Sequence, residues 1–176
     1  FIGGDHAITI GCTPEQARSV LILDAHSDFR YSWNDSQVNH ACVARRLVDK
    51  HKIGIIGVRS QDKDEVDQIA SSDAIKIIRA YENNMESLLN LLKWLEDPIH
   101  LSIDVDVFDP SIIRNTGTPE PGGLLWYDVI TILEVVMNNR KVISTDLVEF
   151  APNQQYQAEA FTLAKLIYKI MAIQSS

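Results

Sequence analysis

Short runs of branched apolar residues alternate along this chain with longer stretches of helical periodicity, and that alternation restricts the possible folds more than any other feature. The runs fall at 20–24, 53–58, 75–79, 99–107 and 142–148. They are rich in Ile, Val and Leu and show little polar alternation, the pattern of strands buried on both faces of a parallel sheet. The spacing within 75–79 is also compatible with a helix. Helices are predicted over 39–50, 62–70, 85–96, 126–138 and 157–173, the last carrying Phe161, Leu163, Ala164, Ile167, Ile170 and Met171 near helical spacing. Strand–helix alternation from end to end predicts one α/β domain spanning 1–176 with right-handed crossovers.

Charge and composition exclude several partners. Lys plus Arg number 16 against 24 Asp plus Glu, a formal net charge of −8. That balance argues against nucleic acid and anionic membranes, which select basic patches. No apolar run is long enough to span a bilayer, and the N-terminus lacks the basic-then-apolar order of a signal peptide. Cys12 and Cys42 make no disulfide framework, so reduced thiols in a cytoplasmic protein are the simplest reading. The chain opens Phe1-Ile2-Gly3-Gly4, like the tail of a buried strand entering a glycine turn. We therefore expect residues upstream, with this domain forming the C-terminal part of a longer chain.

In α/β folds chemistry gathers at the carboxyl ends of the strands. The run 20–24 ends in Asp24-Ala25-His26-Ser27-Asp28. An extended backbone there would put three metal-capable side chains on one side. The run 99–107 carries Asp104 and Asp106, which would share a strand face. Buried carboxylates are costly unless paired or bound to cations. Asp24, Asp28, Asp104 and Asp106 in one pocket would raise one another's pKa values. Two divalent cations would neutralise them, with His6 and His26 completing the coordination. Oxygen and imidazole donors favour Mn²⁺, with Zn²⁺, Fe²⁺, Co²⁺ and Ni²⁺ as alternatives. Taken singly, each cluster has another reading. The first could be a capped loop; Asp104 and Asp106 could be the nucleophile and acid of an aspartyl-phosphate phosphatase.

The blocks Gly3-Gly4-Asp5-His6, Asp24-Ala25-His26-Ser27-Asp28, Ser102-Ile103-Asp104-Val105-Asp106 with Asp109-Pro110, and Gly117-Thr118-Pro119-Glu120-Pro121-Gly122-Gly123 resemble the ureohydrolase (arginase/agmatinase) superfamily. Asp146-Leu147-Val148-Glu149 and Pro152 extend the resemblance in the same order. It implies a three-layer α/β/α arginase-like fold with a mainly parallel sheet and two Mn²⁺ per subunit. Carried over by position, His6, Asp24, Asp28 and Asp104 would hold one ion, and His26, Asp24, Asp104 and Asp106 the other. Glu149 would bind the substrate guanidinium, and His40 would relay protons with bulk water. The implied reaction splits a guanidino compound into urea and an amine by a hydroxide shared between the ions. Asp28 would carry a proton to the leaving amine. Trimers or hexamers are the family's usual assemblies.

Arginase-like members commonly place Asn where this chain has Arg30. Asp28-Phe29-Arg30, Gly57-Val58-Arg59-Ser60 and the Pro-Glu-Pro block are similar to prokaryotic agmatinases, which implies agmatine, converted to putrescine and urea. Arginine and other guanidino acids are the alternatives within the family. A single-zinc deacetylase-like hydrolase or an inactive member are the alternatives beyond it. Asp5, Asp109 and Asp146 read as turn or supporting groups, and His51 and His100 as ordinary residues.

Overall fold

The computed structural model describes residues 1–174. Its strands are β1 (Ser19–Leu23), β2 (Lys52–Val58), β3 (Ile75–Arg79), β4 (Ile99–Asp104) and β5 (Val142–Val148). They form one parallel sheet in the order β3-β2-β1-β4-β5. The helices are α1 (Ile8–Cys12), α2 (Val43–Leu47), α3 (Lys63–Ala70), α4 (Met85–Trp94), α5 (Trp126–Asn139) and α6 (Ala158–Gln174).

Strand pleating divides the core in two. Leu21, Leu23, Ile99, Leu101 and Ile103 join one apolar cluster with residues of α4, α5 and α6. Val20, Ile22, Ile53 and Ile55 join a second with Val43, Ala44 and Leu47 of α2, against which Ile69 of α3 packs. The result is the expected α/β/α layering. Every residue of β1 is buried, each apolar side chain contributing about 1.5–3 kcal/mol. All five expected strands form, including 75–79, whose isoleucines pair with β2.

Two expectations need correction. The helix predicted over 39–50 is broken into a 3₁₀ turn at His40–Cys42 followed by α2. The break falls at Cys42, whose φ of −126° and ψ of 6° lie outside helical values. The strand predicted over 99–107 stops at Asp104, and Val105–Val107 form a 3₁₀ turn. The Asp104 side chain accepts from the Asp106 amide at 2.9 Å, which folds the backbone out of the extended path. Helix α1 is an addition, too short at five residues to show periodicity. No helix among the described residues is long and apolar enough to cross a membrane.

The strand order reverses direction between β1 and β4, the place where open α/β sheets form a crevice. A third segment reaches it from the edge. Gly3 donates to the Leu147 carbonyl of β5 at 2.8 Å. Gly3 and Gly4 then adopt φ values of +89° and +93°, freely available to glycine, and deliver His6 to the start of α1.

Candidate metal centre

Asp24 follows β1 and Asp104 ends β4, so strand pairing alone brings these carboxylates together. The segment 24–28 does not stay extended. The Asp24 carboxylate accepts from the His26 amide at 2.6 Å, and Asp28 sits in the left-handed region at φ +48°. This unusual backbone turns the Asp28 carboxylate back toward His6. Asp106 is held by its own 3₁₀ turn, and its carboxylate accepts from the Ala25 amide at 3.0 Å.

His6 Nδ1 is the focus of the cluster. It lies 3.2 Å from Asp24 Oδ2, 3.0 Å from Asp28 Oδ2 and 3.2 Å from Asp104 Oδ2. His26 Nδ1 lies 3.5 Å from Asp24 Oδ1 and 3.0 Å from Asp106 Oδ2. Asp24 therefore stands between the two imidazoles. His6, Asp24, Asp28, Asp104 and Asp106 are buried, and His26 is partly exposed.

The cluster's electrostatics are those of unneutralised anions. Burial, and then the charges of Asp106 and Asp24, raise the Asp104 pKa. Burial and Asp24 likewise raise Asp106 and push Asp28 up to about 7. Asp24 moves the other way: burial would raise it, but the His26 and His6 imidazoles outweigh that and hold it below the carboxylate range. Burial disfavours an imidazolium at His26, yet Asp106 and Asp24 push its pKa up to about 11. The same contest, decided by Asp104, Asp24 and Asp28, raises His6.

Two supports lie outside the candidate site residues named above. Buried Glu65 closes the capping box of α3 with Asp62 and accepts from Ser27 Oγ at 2.8 Å and the Phe29 amide at 2.9 Å. Arg59 donates to the carbonyls of Gly57, Asp106, Phe108, Glu120 and Pro121 at 2.7–3.3 Å, joining the Asp106 turn to the glycine-rich loop. The capping spacing from Asp62 to Glu65 was a readable signal for a helix start. Arg59 stands in the Gly57-Val58-Arg59-Ser60 block, but its bracing role left no signal there, because its partners are distant carbonyls. Asp109 accepts from the Gly122 and Gly123 amides at 3.0 and 3.1 Å, a turn-supporting role.

The centre floors a cavity of about 390 Å³ lined by His6, His26, Asp28, Asp104 and Asp106, with His40, Glu149, Arg30 and Trp33 also on its wall. Glu149 adopts φ +65° and accepts from the His6 amide at 2.6 Å through Oε1. Burial raises its pKa. His40 is about two-fifths exposed, with Nδ1 3.1 Å from Asp5 Oδ2. Arg30 pairs with Asp62 at 3.1 Å, and its guanidinium lies 4.4 Å from the centre of the Trp33 ring. Cys12 and Cys42 are free thiols.

The donor set fits divalent cations. His6 Nδ1 and Asp24 Oδ2 are buried without a hydrogen-bond partner, although charged oxygens crowd around the nitrogen. Atoms of His6, Asp24 and Asp28, and again of Asp24, His26 and Asp106, lie within 4.8 Å of one another. Carboxylate oxygens and imidazoles, with no thiolate among them, suit Mn²⁺-class ions.

The profile of the Arginase family matches residues 1–173. An agmatinase of Pyrococcus horikoshii is 38% identical, the match covering 98% of this chain and 62% of that protein. An N(1)-aminopropylagmatine ureohydrolase of Thermococcus kodakarensis is 37% identical over 96% of this chain and 59% of that protein. The crystal structure of an agmatine ureohydrolase of Thermoplasma volcanium superposes with a TM-score of 0.81 at 30% identity, covering 99% of this chain and 61% of that one. The chain thus spans about three-fifths of the length of the relatives it matches.

Proposed function

Because the chain belongs to the arginase family, we propose that it hydrolyses agmatine to putrescine and urea at a pair of Mn²⁺ ions, acting as a single ureohydrolase domain. The observation that carries this reading is the convergence of three carboxylate oxygens on His6 Nδ1, with Asp106 and His26 continuing the cluster. His6, Asp24, Asp28 and Asp104 would hold one ion, and His26, Asp24, Asp104 and Asp106 the other. When bound, the ions supply Lewis-acid activation of water.

The chain's own groups supply binding and proton transfer. A guanidinium carbon is a poor electrophile, so its position must be fixed. Glu149 lines the cavity with one oxygen on the His6 amide, and a charge-assisted bond to its carboxylate would hold the guanidinium. Asp28, at the cavity floor, accepts a proton from the attacking water and gives it to the departing amine. His40, partly exposed at the rim, handles the second water proton, relaying it through solvent to the departing amine.

The wall favours a substrate without a carboxylate. Arg30 is the one Arg or Lys lining the cavity among the described residues, and Asp62 already pairs with it. The wall thus offers no unpaired Arg or Lys to receive a substrate carboxylate. Measurements of kcat/KM on agmatine, arginine, guanidinobutyrate and N(1)-aminopropylagmatine test the choice. Agmatine is expected to lead; a higher value for any of the others overturns it.

A further inference from the structure

The cavity wall carries an aromatic ring that the core does not use. Trp33 is 39% exposed and belongs to neither apolar cluster. A two-residue hairpin turn fixes its backbone. Trp33 and Ser36 exchange amide–carbonyl bonds at 2.8 and 3.0 Å, and Asn34 and Asp35 between them have φ +48° and +60°, the left-handed pair that such a turn demands. Arg46 of α2 steadies the same loop, donating to Gln37 Oε1 at 3.1 Å and lying 5.3 Å from the centre of the Tyr31 ring. The indole is thus held on the wall of the same cavity that the metal centre floors.

A cation already sits against it. The Arg30 guanidinium lies 4.4 Å from the centre of the Trp33 ring and 3.1 Å from Asp62 Oδ2. Asp62 is fixed in its turn: Oδ1 accepts from the Glu65 amide at 2.9 Å as the cap of α3, which leaves Oδ2 for Arg30. An aromatic face and a carboxylate oxygen converging on one positive group make the kind of site that recognises organic ammonium ions. Arg30 and Asp62 side chains are each about a third exposed. A pair so wetted is weakly held, and a second cation can displace one member.

We infer that Trp33 and Asp62 form the subsite for the alkylammonium end of the substrate, and that Arg30 holds this place until the ammonium takes it, resting on the reading of the chain as a guanidine hydrolase. Glu149 and the metal centre take the other end. The Arg30 amide stays on the Ala41 carbonyl at 3.1 Å, so only the side chain has to move. An ammonium is a compact charge with three donors and needs no planar fork. Oδ2 and the ring face therefore serve it as they serve the guanidinium. A neutral tail gains neither contact.

Urea release by the Mn²⁺-loaded full chain from agmatine and from butylguanidine tests this. The two compounds share the guanidinium and the carbon tail and differ in the terminal ammonium. The ratio of kcat/KM, agmatine over butylguanidine, should be at least about tenfold in the unsubstituted protein. Asp62→Asn keeps an oxygen to cap α3 but removes the charge, and should lower the ratio about tenfold. Trp33→Leu should lower it about fivefold. Arg30→Gln should raise it about threefold through a lower KM for agmatine, because no exposed ion pair then has to be broken. A ratio near one in the unsubstituted protein overturns the inference and leaves guanidine hydrolysis standing, whether or not the variants fold. So does a ratio unmoved in Asp62→Asn or Trp33→Leu, the outcome of a stack that only holds the loop, or one that does not rise in Arg30→Gln. An unsubstituted chain that releases urea from neither compound overturns the guanidine-hydrolase reading, and the inference with it.

Discussion

The Arg59 guanidinium donates to the Asp106 carbonyl at 2.7 Å, while the Asp106 carboxylate lies 3.0 Å from His26 Nδ1. One residue is thus gripped from behind by its backbone and offered forward by its side chain. The other Arg59 bonds reach the glycine-rich loop. Arg59→Ala should cost about 2–3 kcal/mol in urea unfolding, since bonds to charged donors are the strong ones. Arg59→Lys should recover less than half, because an ammonium lacks the planar fork.

Gly123 and Gly122 separate close approach from backbone strain. A Cβ on Gly123 would lie 2.5 Å from Asp109 N and 2.6 Å from the Phe108 carbonyl carbon, backbone atoms that cannot rotate away. A Cβ on Gly122 meets nothing within 4 Å, but the residue has φ +77°. Gly122→Ala should cost about 1–2 kcal/mol from its left-handed conformation. Gly123→Ala should cost about 3 kcal/mol, the upper range of overpacking. Thermal unfolding of the two variants side by side checks the order.

Removing the Asp106 carboxylate tests the centre directly. Asp106→Ala should hold fewer than two ions per chain by elemental analysis. Urea release should fall by at least about 100-fold, since even outer partners of metal ligands can cost that much. Unchanged activity with two ions retained would refute the ligand assignment.

The pH dependence has opposite signs with and without metal. In the metal-free protein His26 stays protonated up to about pH 11 and Asp28 up to about 7. Ligation must displace those protons. Mn²⁺ affinity should therefore rise with pH, about tenfold per unit for each proton displaced, and calorimetry in two buffers should register the release. For the metal-free fold, the His26 pKa lies above its ordinary value of 6.5. Its stabilisation is complete below that value and is lost as pH rises through about 11. The Tm of chelator-treated protein should fall across that interval, and the fall should be smaller in metal-loaded protein.

The strands were legible because uninterrupted Ile, Val and Leu runs leave a parallel sheet few alternatives, and their ends located Asp24 and Asp104. The local path beyond those ends was not. Asp106 and Asp28 reach the cluster by a 3₁₀ turn and a left-handed residue, where the sequence suggested extended backbone. Each deviation follows from a side chain bonding nearby backbone, or from tertiary packing, that periodicity does not record. His100 read as ordinary because its partners, Asp146 and Ser144, are over 40 positions away and meet it only through strand register. The block Gly57-Val58-Arg59-Ser60 was noticed, but the bracing role of Arg59 was not, for a related reason: carbonyl oxygens carry no residue signature.

Glu65 gives the architecture its last consequence. The same carboxylate closes the first turn of α3 and tethers Ser27 and Phe29 of the loop that carries the proposed ligands. Fraying of that helix end and slackening of the grip around Asp28 are therefore a single cooperative opening. Whatever stiffens this short helix also lengthens the time the loop spends in the shape the proposed ions would need.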